Sequence, residues 1–118
     1  MAKYLITFDE GAMDHIPAGE LPEAGKAAYA VCQDAADAGV FVFAGGLDPQ
    51  PPTIVSPDGL VTDGPFPETK EFIGGFMVVE VPTREEALTW ATRIAAACRC
   101  PQEVRRLGDG AATGSTFR

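Results

Sequence analysis

Hydrophobic and polar positions divide the chain into short β-rich runs and two longer stretches of helical period. Lys3 to Phe8 alternates imperfectly and is rich in β formers, which predicts a first strand. Asp9 to Leu21 carries two glycines, a proline and four acids, and reads as a loop. From Pro22 onward, Ala24, Ala27, Ala28, Val31, Ala35 and Ala38 recur at helical spacing. Proline suits a first helical turn, Glu23 suits the positive end of the dipole, and Gly39 stands where a capping glycine belongs. The stripe is built of small residues, so this helix can lie close to a sheet. Val40 to Ala44 predicts a second strand, and the Gly45–Pro52 connector is too rich in proline to continue a ladder. Thr53 to Ser56 and Leu60 to Thr62, joined by Pro57-Asp58-Gly59, predict a small hairpin. Asp63 to Ile73 holds a turn and one helical turn.

Gly75 to Val81 is apolar except for Glu80, which reads as a central strand covered on both faces. Thr83 with Glu86 three residues on is a capping-box spacing, so a second helix starts there. Its buried stripe is Ala87, Leu88, Ala91, Ile94, Ala95 and Cys98, with Trp90 on the border and Pro101 as the stop. Gln102 to Leu107 is a last strand. The expected organisation is one domain over 1–108 and a loose tail over 109–118. With the hairpin set aside, the order is β-α-β followed by β-α-β. Two helices can cover only one face of such a sheet. A symmetric homodimer that packs two bare faces together is the expected answer, at a standard interface of about 1,600 Å².

Charge narrows the classes of partner. The 118 residues carry a formal net charge of −8, which repels phosphate backbones and argues against direct nucleic-acid binding. No basic cluster suits an anionic membrane surface, and no apolar run has the length of a membrane span. The start, MAKYLITF, reads as a strand and lacks a signal-peptide cleavage pattern, so a cytoplasmic location is expected. Cys32, Cys98 and Cys100 are an odd number and read as free thiols. Cys32 is expected beside the first helical stripe and Cys98 under the second helix, with Cys100 the most accessible. Cys98-x-Cys100 without a further Cys or His nearby is too short a signal for zinc, so no metal is expected.

The candidate chemistry is sparse. His15 lies in a loop beside Asp9, Glu10 and Asp14; it is either a general base or a solvated loop histidine. The turn Asp63-Gly64-Pro65-Phe66 is followed by Glu68 and Lys70. Phe66, Glu68 and Lys70 are candidate ligand-binding residues, and Asp63 joins His15 as a candidate acid–base group. Alternatively Asp63 caps the turn and Phe66 plugs the core, so Phe66 is expected to be largely buried, at the edge of a cleft beneath the Asp9–Leu21 loop. No nucleophile elbow, dinucleotide fingerprint or phosphate loop is present, and no cofactor is expected.

The run VTDGPFPETKEFIGGFMVVEV, the REEALTWA helix and the strand ending EVRRL together resemble the YCII-related family, in its DGPF-motif branch. The resemblance covers residues 3 to 107. It implies an α+β, ferredoxin-like fold with an antiparallel sheet, two helices on one face and a dimeric α/β barrel. For function it implies a small-molecule-binding or regulatory protein; the alternative is a lyase or isomerase working by acid–base chemistry in the barrel cleft. A His-Asp pair is the pattern of the broader group, with the histidine in helix one and the aspartate in an Asp-Pro step after helix two. Here Pro22 to Ala38 has no histidine, and the step is Arg99-Cys100-Pro101.

Overall fold

The strand β5 (Ile73–Val81) lies at the middle of the molecule, between β1 (Ala2–Asp9) and β2 (Phe41–Gly46). β6 (Glu103–Arg106) pairs with the other edge of β1, and the sheet order is β2-β5-β1-β6. Every pairing in it is antiparallel. The computed structural model describes residues 1–117; Arg118, the last residue of the expected tail, lies outside it. With α1 (Leu21–Asp37) after β1 and α2 (Arg84–Cys98) after β5, the fold is α+β and ferredoxin-like. No helix among the described residues is long and apolar enough to cross a membrane.

β5 shows why both helices lie on one side. Gly75, Met77, Val79 and Val81 are buried, while Phe76, Val78 and Glu80 between them are only half-buried. This corrects the expectation of a strand covered on both faces. The apolar run is continuous, but the chain has two helices, and they meet only the odd-numbered positions. β1 follows the same rule, with Tyr4, Ile6 and Phe8 opposite Val79, Met77 and Gly75. The opposite, open face carries Leu5, Thr7, Phe76 and Val78. A register shift between Phe41 and Phe43 of β2 turns Phe43 to that face too, opposite Val78. The Phe43 and Phe76 rings lie 5.7 Å apart, and Lys3 Nζ meets Glu80 Oε2 at 3.2 Å.

The helices pack through small residues. On α1 the buried positions are Ala24, Val31 and Ala35, with Ala28 half-buried; Ala27 and Ala38 are exposed, so the stripe is narrower than its sequence period suggests. On α2 they are Ala87, Ala91, Ile94 and Cys98. The Thr83 hydroxyl accepts a hydrogen bond from the Glu86 backbone N–H at 3.2 Å, as the capping spacing predicts. α2 ends before Pro101: Arg99 takes a left-handed conformation at φ 58°, and its N–H donates to the Ala95 carbonyl. The Arg93 guanidinium lies 4.9 Å over the Trp90 ring and pairs with Asp34 of α1. Arg99 meets Glu20 at 2.6 Å. Both ion pairs are solvent-exposed, so they orient the helices more than they stabilise them.

The insert between β2 and β5 is a separate two-stranded sheet, β3 (Thr53–Val55) with β4 (Val61–Asp63). Its turn closes with Ser56 N–H to the Leu60 carbonyl at 2.9 Å, and Asp58 accepts from Leu60 N–H at 2.9 Å. The radius of gyration is 15.8 Å, against about 13.5 Å for a compact chain of this length. The hairpin, which pairs with no strand of the main sheet and stands out from it, contributes to that difference.

Candidate functional site

An uncharged, mostly apolar cavity follows from missing side chains. α1 presents Ala24, Gly25 and Ala28 to the sheet, where β2 ends in Gly45 and Gly46. No large side chain from either element fills the space between them. The result is a cavity of about 290 Å³. Phe8 and Met77 line it from the sheet, Ile94 and Cys98 line it from α2, and Tyr29, Cys32, Met13 and Gln102 complete it. No Asp, Glu, Lys, Arg or His is among these lining residues.

The thiols of the wall are held neutral. Burial pushes the Cys98 thiol up to about 11, and the neighbouring Cys100 and Cys32 thiols add to this. Burial also raises Cys32, and it raises Cys100. A thiol that keeps its proton is a poor nucleophile and a poor metal ligand. Among the described residues no group of three or more His, Cys, Asp or Glu is arranged to hold a metal ion. Cys100 is buried and Cys32 is the least buried of the three, which corrects the expectation that Cys100 is the most accessible. The left-handed Arg99 folds the chain back, and Cys100 N–H bonds the Ala95 carbonyl at 3.2 Å, placing Cys100 against the core.

The residues singled out in the sequence lie elsewhere. His15 is exposed in the loop between β1 and α1. Asp63 is exposed at the end of β4, opposite Thr53. Glu68 and Lys70 are exposed on the segment that leads into β5. Phe66 is 59% exposed and borders a groove of about 370 Å³ with Pro52, Ile54, Val55, Thr69 and Phe72. It does not plug the core, because the turn packs on the projecting hairpin and not on the main sheet. Gly64 has no positive φ; a Cβ there would lie 3.1 Å from Ile54 Cγ1 and 3.1 Å from the Pro52 carbonyl.

The turn segment and the Asp9–Leu21 loop do meet. Glu10 N–H donates to the Phe72 carbonyl at 2.8 Å. A groove of about 510 Å³ lies beneath that loop, lined by Glu10, Asp14, Leu47 and Pro49 among others. His15 and Asp63 line neither groove nor the cavity. Near the sheet edge, the Glu71 carboxyl is held above its ordinary range by a hydrogen bond to Asp9, the Asp9 charge, burial and Glu103.

The cavity is hard to read from sequence because it is defined by absences on two separated elements. One signal for it existed: small residues on one face of α1 and a glycine pair ending the neighbouring strand.

The family model described as the YCII-related domain matches residues 4–105, from within β1 to within β6. No curated protein matches the chain.

Proposed function

The chain belongs to the YCII-related family, and we propose that it is a small-molecule-binding protein whose site is the cavity between α1 and the sheet. The Asp63-Gly64-Pro65-Phe66 motif supports placing it in the DGPF-motif branch, where a regulatory role fits a protein that binds without turnover. The observation that carries the reading is the lining: apolar side chains, two protonated thiols, one carboxamide and one phenol, with no charge. Such a surface favours a neutral molecule with an apolar body. A charged ligand would lose its hydration with no partner to replace it.

Acid–base chemistry needs a group that exchanges a proton near neutral pH within reach of the substrate. The lining has neither a carboxylate nor an imidazole, so binding is the better supported role. The test is titration of the protein with naphthalene-sized neutral aromatics, followed by calorimetry or ligand fluorescence. Saturable one-site binding in the wild type, lost in Ala28→Phe with the fold retained, is the expected result. Binding that survives Ala28→Phe, or none in the wild type, would refute the assignment.

A further inference from the structure

We infer that Gln102 is the specificity-determining residue of this cavity, and that its ligand is a neutral, roughly two-ring-sized apolar molecule carrying one hydroxyl or carbonyl group. The inference rests on the proposed binding role of the cavity and goes beyond it, by naming the class of ligand and the residue that reads it.

Size sets the first limit. An apolar cavity of about 150 Å³ holds benzene. Filled to the same degree, about 290 Å³ takes roughly ten to twelve non-hydrogen atoms.

Polarity sets the second. Gln102 is the single carboxamide in the lining. It follows Pro101 at the entry to β6 and is half-buried. Its Nε2 donates to the Cys100 carbonyl at 3.4 Å and to Cys100 Sγ at 3.6 Å, both long contacts. Among the described residues its Oε1 accepts no hydrogen bond. A side chain held so weakly can exchange partners at little cost. It offers a donor and an acceptor together, so a hydroxyl can engage both and a carbonyl can engage the donor. A polar group at the edge of an apolar site discriminates by leaving itself unpaired when the ligand lacks its complement. The one phenol of the wall, on Tyr29, is 76% exposed and stays hydrated, so it reads the ligand less sharply.

The test uses two molecules of nearly the same shape, 2-naphthol and 2-methylnaphthalene, with wild type, Gln102→Leu and Gln102→Met. Dissociation constants are measured near neutral pH, where 2-naphthol is uncharged, and the ratio of the hydrocarbon's to the naphthol's is compared between proteins. Taking this double ratio cancels the difference in transfer from water between the two ligands. The expected result is that both ligands bind all three proteins, and that the ratio falls by about fivefold or more in both variants. A smaller fall, with both ligands bound, overturns the role of Gln102 and leaves the cavity as a binding site. Failure of both ligands to bind the wild type overturns the binding role, and this inference with it. Far-UV circular dichroism on Gln102→Met separates a lost contact from a lost fold.

Discussion

The ring of Phe8 occupies the space that a side chain at Gly75 would need: a Cβ on Gly75 would lie 2.4 Å from Phe8 Cζ. The two are register partners on β1 and β5, and Phe8 is part of the cavity wall. In Gly75→Ala the ring must therefore swing, and the open space beside it is the cavity. Overpacking of this kind costs about 1–3 kcal/mol. The expected outcome in urea unfolding is a loss in that range, together with weaker 2-naphthol binding. Gly74→Ala provides the contrast. A Cβ there would meet backbone, at 2.9 Å from Glu10 Cα and 3.0 Å from the Asp9 carbonyl, with no flexible side chain to yield. It should destabilise at least as much while sparing the affinity of the folded protein. Equal effects of the two substitutions on binding would refute this division.

The raised thiols predict a loss of stability at high pH. The unfolded Cys98 thiol releases its proton near 9.0, whereas the folded one keeps it to about 11. Over that window the unfolded chain binds fewer protons, so rising pH favours unfolding. The contribution is complete below about pH 9 and is lost progressively towards 11. Cys98→Val removes the group, so the stability of wild type relative to this variant should fall across the window. A constant difference would contradict the assignment. A thiol reagent on native protein should modify Cys32 before Cys98 or Cys100, because Cys32 alone is only half-buried.

What the sequence shows well is local. The Thr83 cap, the two helices, the hairpin and the strands each depend on residues within a few positions of one another, and each appears within a few residues of its expected bounds. The family resemblance, carried by the Gly75 strand and its surroundings, agrees with the match over residues 4–105. Burial is less legible because it depends on what packs opposite. The apolarity of Phe66 and Phe76 is plain in sequence, but nothing local says that one sits on a projecting hairpin and the other on an uncovered face. Cys100 misleads for a related reason: the left-handed turn at Arg99, which returns it to the core, occurs at a residue that seldom adopts positive φ. The cavity is the least legible feature, since α1 and β2 create it jointly by what they lack.

Phe66→Ala should be mild. Phe66 is 59% exposed and borders the groove beside the hairpin. Truncation of a buried phenylalanine costs about 3–5 kcal/mol; here the loss should stay below about 1.5 kcal/mol. Chemical denaturation checks this through the midpoint at unchanged slope. A loss in the core range would mean that the turn closes onto the main sheet in solution.

We propose a homodimer formed through the open sheet face. Leu5, Phe76 and Val78 are half-buried there, and Phe43 is 60% exposed beside Phe76. The hairpin exposes apolar side chains of its own, Val55, Leu60 and Val61, each at least 59% exposed. A stable interface needs on the order of 800 Å² from each partner, and large exposed apolar patches usually mark such contacts. The Lys3–Glu80 pair beside the patch supplies polar groups that a second copy can meet in register. Sedimentation equilibrium at micromolar concentration should give twice the 12.4 kDa chain mass. Val78→Lys and Phe43→Asp each bury a charge in the proposed interface without touching the helix-covered core, so both should give folded monomers. A wild-type monomer refutes the dimer. A dimer that survives both substitutions keeps the association but moves it off this face.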